Sequence, residues 1–295
     1  MSGLPDLHRH LDGSIRPSTL REFAALDGLV VPPDLPFTAG MGLDDALARF
    51  GFTLSLLQTP DRVRRTAAEM CEDAAANGVS TLEIRFAPQL HGGAPPEDIV
   101  VAALDGIAGR AGLLVCGLYG EDPALVERLA RIPGICGLDL AGGPSPGHDF
   151  GMEHYARAFG IARDRGIGRT VHAGEGRPPA EIRVAIERLH ALRIGHGTTL
   201  LEDLEVADLV VERGVTIEAC PTSNWQVGVI GSVADHPLPV WLRRGLKVCI
   251  NTDNTLLSQV TAPEEHRRAR QIPGMTDSLL EQAIGYGHAA AFARP

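Results

Sequence analysis

From residue 79 onward the chain alternates between short apolar runs and helical patterns, and this alternation restricts the possible folds more than any other feature. The runs are Val79 to Ala87, Leu113 to Leu118, Ile135 to Ala141, Arg169 to Ala173, Arg193 to His196, Val215 to Cys220 and Lys247 to Asn251. Helical patterns separate them at 96–111, 122–131, 152–165, 178–191, 202–213 and 237–244, and another follows at 276–292. Strands joined through helices pair in parallel, because a parallel pair needs a long crossover. With Leu4 to Gly13 as a first strand-like stretch the count is eight. Eight parallel strands in 295 residues predict one closed (β/α)8 TIM-type barrel, an α/β fold. The competitor is a doubly wound open sheet. Its dinucleotide-binding form is disfavoured, since no Gly-x-Gly-x-x-Gly follows an early strand. Residues 1–295 read as one domain, with a helical insert at 14–78 after the first strand. Phe50, Phe52 and Leu56 in that insert read as helix packing, the alternative being a lid over a small-molecule site.

Parallel strands buried on both faces should be almost wholly apolar. Here the polar residues gather at the strands' C-terminal ends. His8 and His10 stand two apart on the first strand, and residues i and i+2 of a strand share a face. His172 and Glu175 end the fifth strand, and His196 ends the sixth between Gly195 and Gly197. Thr222 to Asn224 follow the seventh, and Asp253 and Asn254 follow the eighth. In a barrel these ends form one rim, the rim that carries active sites. Three neutral imidazoles and a carboxylate suit zinc or a similar divalent ion, so His8, His10, His172 and Asp253 are the candidate metal ligands. Glu175 would stand beside the metal as a proton carrier, and His196 would contact the metal's water. The remaining histidines, His91, His148, His154, His190, His236, His266 and His288, read as surface or structural.

Composition narrows the partners. A formal charge of −10 argues against a nucleic-acid groove or a membrane-binding face, both of which need a basic surface. Five cysteines without a CxxC pair fit buried thiols in a reducing compartment. The N-terminus lacks a basic start and an apolar stretch of signal-peptide type, and no apolar run reaches membrane-spanning length, so a cytoplasmic protein is expected. Lys247 is the only lysine and begins the eighth strand, at the end of the barrel away from the rim. A second metal bridged by a modified lysine on strand four is therefore not expected.

The residues also resemble a known family. His8-x-His10-Leu11-Asp12-Gly13-Ser14, Leu138-Asp139-Leu140-Ala141-Gly142, His172-Ala173-Gly174-Glu175, Ile194-Gly195-His196-Gly197, Cys220-Pro221-Thr222-Ser223-Asn224 and Asn251-Thr252-Asp253 are similar, in order, to the motifs of adenosine deaminases. The resemblance spans residues 4 to about 256. It implies a barrel holding one Zn2+ and hydrolytic removal of the 6-amino group of a purine, by default adenosine or deoxyadenosine to inosine or deoxyinosine. It implies that His8, His10, His172 and Asp253 bind zinc, that His196 and Asp253 orient the attacking water, and that Glu175 gives a proton to N1. Asp12 would meet the ribose side, His10 would touch the substrate as well as the metal, and the Gly142 N–H would face purine N3. The HxE…PCxxC signature of the other zinc deaminase class is absent. Two positions depart from the family pattern. Asn254 stands where many relatives have a second aspartate bonding N7, and Gly143 where many have an acidic residue.

Within this class the alternatives are adenine and modified adenosines such as aminodeoxyfutalosine. Outside it stand a two-metal hydrolase on the same barrel and a non-catalytic purine-binding protein. The second of these should have lost a ligand or the proton carrier, yet all are present. The sequence leaves the oligomeric state open.

Overall fold

Strands that are apolar on their outer faces must be covered by helices, and in the computed structural model the sheet curls until its two edges meet. The structure describes residues 3–145 and 147–292. The first part holds β1 (Leu4–His10), α1 (Pro17–Leu26), α2 (Leu43–Leu56), α3 (Pro60–Ala76), β2 (Val79–Phe86), α4 (Pro96–Ile107), β3 (Gly112–Leu118) and α5 (Pro123–Leu129). After these come β4 (Gly137–Ala141), α6 (Ala156–Asp164), β5 (Gly168–Ala173), α7 (Ala180–Glu187), β6 (Arg193–His196) and α8 (Leu204–Arg213). The last part holds β7 (Thr216–Ala219), α9 (Pro221–Gln226), α10 (Leu238–Arg243), β8 (Lys247–Ile250), α11 (Ala262–Arg270) and α12 (Asp277–Ala290). The strands follow chain order β1 to β8, and every adjacent pair is parallel. The (β/α)8 barrel expected from the alternation is the fold found.

Closure happens at the rim. Arg9 bridges Asp253, the Asp253 N–H donates to the His8 carbonyl at 2.8 Å, and the His10 N–H donates to the Asp253 carbonyl at 2.7 Å. The backbone that closes the barrel is thus the backbone that carries three of the candidate ligands. β1 also contains a bulge: Asp6 pairs with Leu82 but Arg9 with Ile84, which leaves one extra residue around His8. Bulges re-aim side chains next to active sites.

The helical segment between β1 and β2 has two parts. α3 packs on α4 and β2, in the place of a crossover helix. Thr59 caps it, accepting from the Arg62 N–H, with Pro60 in its first turn. α1 and α2 lie beyond it, and α2 reaches over the rim. α11 was not expected from the sequence. Its composition is highly polar, with Glu264 and Glu265 in the first turn and three arginines in the last, so no apolar stripe announces it. Its buried face includes Glu265, which accepts hydrogen bonds from the backbone N–H and the hydroxyl of Thr222.

Ile84, Leu138, Val171, Ile194 and Ile217 are fully buried, and period-2 alternation turns them toward the helices. The positions between them depart from the expectation of wholly apolar strands. Glu83, Arg85, Asp139, Thr170, Arg193 and Glu218 are buried along the barrel axis, where they pair with one another. Arg85 bonds Asp139 at 3.0 Å and Glu218 at 2.9 Å, while Arg193 meets both Glu83 and Glu218 at 2.6 Å. Buried charges survive only when paired in this way.

At the opposite end of the barrel Phe292 closes the floor. The Arg193 guanidinium stacks 3.6 Å from its ring centroid, and the missing side chains of Gly137 and Gly168 make room for it. A Cβ on Gly168 would sit 2.0 Å from the ring. Gly168→Ala should therefore evict Phe292 and destabilise the fold by about 1–3 kcal/mol, the usual cost of overpacking. Urea unfolding measures it, and an unchanged midpoint would mean that Phe292 is no plug.

Candidate metal centre and active site

Four side chains from three strand ends converge on one point. His10 Nε2 lies 3.3 Å from His8 Nε2 and 3.2 Å from His172 Nε2. Asp253 Oδ1 lies 3.4 Å from His10 Nε2 and 3.6 Å from His8 Nε2. Zinc bonds of about 2.0–2.1 Å in a tetrahedron put ligand atoms roughly 3.3–3.4 Å apart. The donor types suit a zinc-sized ion, as do the spacings of His10 from His8 and His172 and of Asp253 from His8 and His10; His8, His10 and His172 form one group whose ligand atoms all lie within 4.8 Å of one another. Asp253 reaches the point through a left-handed backbone, φ 60°, and His196 stands likewise at φ 67°. For residues other than glycine this costs energy and is characteristic of functional sites.

The axial charges explain why the imidazoles point as they do. His8 Nδ1 is held 2.8 Å from Glu218 Oε2, and His172 Nδ1 sits 3.1 Å from Asp139 Oδ2. A carboxylate on Nδ1 fixes the tautomer that leaves the Nε2 lone pair free for a metal. Arg85 spans both carboxylates, so one guanidinium sets the orientation of two candidate ligands. Burial, reinforced by neighbouring cations, holds the pKa values of His8 and His10 well below the ordinary histidine value. Both are neutral, as ligation requires. At His172 burial acts the same way, but the Asp139 carboxylate outweighs it and the net direction is upward. Cys220 also lies within reach of His8 and Asp253. Burial keeps its thiol protonated, and its Sγ sits 3.7 Å from the Glu218 carbonyl, so we do not count it as a ligand.

Glu175 and His196 stand beside this point, both buried, with Glu175 Oε1 3.4 Å from His196 Nδ1. The Asn224 amide nitrogen joins them, 3.0 Å from His196 Nδ1 and 3.4 Å from Glu175 Oε1. Burial raises the pKa of Glu175, partly opposed by the positive charges of His172 and Arg177. Burial also lowers that of His196, to about 3. Burial thus favours the protonated form of the carboxyl and the neutral form of the imidazole. The turn bearing Glu175 is tied down as well: Tyr119 Oη and Arg177 Nη2 both donate to the His172 carbonyl at 3.2 Å, and Arg177 is engaged by Glu181 at 2.8 Å.

A cavity of about 430 Å³ opens from this cluster to the surface. Asp12, Gly142 and Asn254 line it with His10, His172, Glu175, His196 and Asp253, so every candidate site residue except the deeper His8 borders it. Burial pushes Asp12 up to about 7, and its Oδ1 has no hydrogen-bond partner. The Asn254 side chain rests on Gly13, where a Cβ would collide with its Oδ1. Phe50 of α2 faces the His10 ring at 6.3 Å and lines the cavity, so it covers the site as well as packing. His91, His236 and His266 are buried and do not line the cavity, although His236 lies near enough to His196 to feel its charge, whereas His148 does line it.

A family model described as adenosine deaminase matches residues 4–294. The chain belongs to the adenosine deaminase family. It is accordingly a purine aminohydrolase. An adenosine deaminase from Enterococcus faecalis is 33% identical, with 98% of this chain and 92% of that protein covered. A probable adenosine deaminase from Dictyostelium discoideum is 36% identical over 98% of this chain and 40% of its own length. Among solved structures, adenine deaminase from Arthrobacter aurescens superposes with a TM-score of 0.89 at 25% identity, covering 100% of this chain and 95% of that one. A Burkholderia amidohydrolase with bound Zn gives 0.85 at 24% identity, over 99% and 86%; at that identity the likeness shows the fold alone.

The sequence reading of this deaminase did not single out Asn224, Arg177, Glu218 or Asp139 as parts of the site. For Glu218 and Asp139 there is a signal: each interrupts a strand of apolar residues at a position facing the axis. Gly195, read only as a neighbour of His196, has a packing role of its own. A Cβ there would stand 3.0 Å from His8 Cε1. His8 cannot retreat, because Glu218 holds its other side. Gly195→Ala should therefore weaken metal binding about 10-fold or more, as disturbed ligand orientation does. A competition titration with a chromogenic chelator reads this directly, and unchanged affinity would contradict the packing argument. Among the described residues no helix is long and apolar enough to cross a membrane.

Proposed function

We propose that this chain hydrolyses the exocyclic amine of a 6-aminopurine nucleoside, adenosine or deoxyadenosine, giving inosine or deoxyinosine and ammonia. The observation that carries the reading is the convergence of His8, His10, His172 and Asp253 beside a buried Glu175–His196 pair at the floor of one cavity. In this reading one Zn2+ occupies the four-ligand point and supplies the Lewis acidity that makes water nucleophilic near neutral pH. The donor types and their spacing support that choice.

The chain's own groups do the rest. The neutral His196 imidazole and the free oxygen of Asp253 hold the attacking water against purine C6. Glu175, whose burial favours the protonated form, gives a proton to N1 as C6 becomes tetrahedral. As the C6–N bond breaks, the C6 hydroxyl proton passes to the departing amine, so ammonia leaves and the 6-oxopurine keeps the proton at N1, while the proton shed by the attacking water restores Glu175. Asn224 keeps the acid and the imidazole in register. The Gly142 N–H meets the N3 edge, and the Asn254 amide donates to N7, which an asparagine does without needing a proton. Asp12 and His10 meet the ribose.

The adenine deaminase neighbour favours a second reading, deamination of the free base. Asp12, a buried carboxyl lining the cavity of about 430 Å³, favours the nucleoside. Ammonia release from adenosine, adenine and aminodeoxyfutalosine separates the readings. We expect adenosine to be turned over; turnover of adenine alone would reject the nucleoside assignment.

A further inference from the structure

Asn224 stands between the acid and the imidazole, and what holds Asn224 comes from outside the barrel. It belongs to α9, which starts directly after β7 and has only 6 residues. Pro221 opens this turn and has no N–H, and Cys220 at the N-cap position makes no side-chain cap. The Thr222 N–H would therefore be an orphaned donor in a fully buried turn. α11 supplies the missing acceptor. Glu265 Oε1 accepts from the Thr222 N–H at 2.8 Å, and Glu265 Oε2 accepts from the Thr222 hydroxyl. The hydroxyl oxygen in turn accepts from Arg268 Nη1 at 3.0 Å. A carboxylate 43 residues away in the chain thus does for α9 what a local N-cap side chain does for other helices.

Glu265 is an expensive residue to place there. It is 1% exposed, and both of its oxygens are taken up by one threonine. Arg268, on the same helix, bonds that threonine and Glu264. Burial strips a carboxylate of its hydration, and a leucine would fill the same volume without that loss. Packing alone does not account for the carboxylate. What its bonds fix is the start of the Thr222–Ser223–Asn224 turn. Ser223 bonds the Asp253 carboxylate, and the Asn224 amide nitrogen lies 3.0 Å from His196 Nδ1 and 3.4 Å from Glu175 Oε1. Thr222 and Asn224 are two residues apart in a single helical turn, so a shift in the first carries the second. Glu265 itself is not among the residues that line the cavity.

We propose that Glu265 is a positioning residue for the deamination: through Thr222 it holds the α9 turn, so that the Asn224 amide keeps Glu175 and His196 aligned on the purine. This inference rests on the roles proposed above for Glu175 and His196. No bond forms or breaks at Glu265, and it needs no contact with the substrate.

The test uses the metal-loaded enzyme with adenosine, or with adenine if the wild type deaminates only the base, so it does not depend on the nucleoside assignment. Glu265→Leu should lower kcat about 30-fold or more while KM stays within about 3-fold and metal content is unchanged, the pattern of misplaced catalytic groups. Glu265→Gln, whose carbonyl oxygen still accepts from the Thr222 N–H, should restore kcat to within about 10-fold of wild type. In an Asn224→Ala background, adding Glu265→Leu should cost no more than about 3-fold, because the two residues act in series. A leucine variant with kcat within about 3-fold of wild type, a loss confined to KM, or the full loss repeated in the Asn224→Ala background would overturn the positioning role. If the leucine variant does not fold, Thr222→Val decides: it should lower kcat about 3- to 10-fold at unchanged KM, with no such effect in the Asn224→Ala background, and a wild-type kcat would overturn the proposal. Full activity of Glu175→Gln beside an impaired Glu265→Leu would reject the acid role and leave Glu265 acting through Asn224 on His196.

Discussion

Glu175→Gln should lower kcat for adenosine by about 10³-fold while leaving metal content and fold unchanged. General acid catalysis contributes roughly 10²–10⁴-fold, and this carboxyl is the acidic group placed both beside the donor cluster and in the cavity. A glutamine preserves the shape and the contact with Asn224 but has no proton to give. The pH profile provides a second check. Burial raises the Glu175 pKa, so the proton is retained to higher pH than in an ordinary glutamate. As pH rises through that value the acid is lost and kcat should fall; in the glutamine variant this limb should disappear. Residual activity within 10-fold of wild type would remove Glu175 from the role of acid.

The second large effect is expected far from any substrate. Arg85→Met should cost about 3–5 kcal/mol of stability, because it leaves Asp139 and Glu218 as buried charges without their shared partner. Urea unfolding of the metal-free protein measures this without the contribution of the ion. The same variant should bind zinc about 10–100-fold more weakly, since both carboxylates orient histidines. A variant that unfolds at the wild-type midpoint and binds zinc normally would show that the axial charges are balanced without Arg85.

The two variants also mark what could and could not be read from the sequence. His8 and His10 were legible because strand periodicity makes a two-residue spacing meaningful. His172, His196 and Asp253 were legible because each ends an apolar run, and in a barrel all such ends meet. Glu175 was legible as the carboxyl next to such an end. Glu83 and Arg85, in contrast, sit inside a run otherwise read as a strand of apolar character, and only their period-2 spacing shows that both face the axis. Their partners on β4, β6 and β7 lie 54 to 133 residues away, so the charge balance that permits their burial is visible only once the barrel closes. α11 was missed for a related reason: its buried face is held by the Glu265–Thr222 hydrogen bonds and not by an apolar stripe. Asn224 was visible as part of a motif, but its link to both Glu175 and His196 depends on the turn into α9.

The account rests on one claim, that the rim cluster is a metal-dependent centre for deaminating a 6-aminopurine nucleoside. The most direct measurement follows ammonia release from adenosine by the purified enzyme before metal removal, after chelation, and during titration with zinc. The account predicts one ammonia per inosine, loss of activity on chelation, and recovery that saturates at one zinc per chain. Full activity in the chelated, metal-free protein, or saturation at two ions per chain, would contradict it.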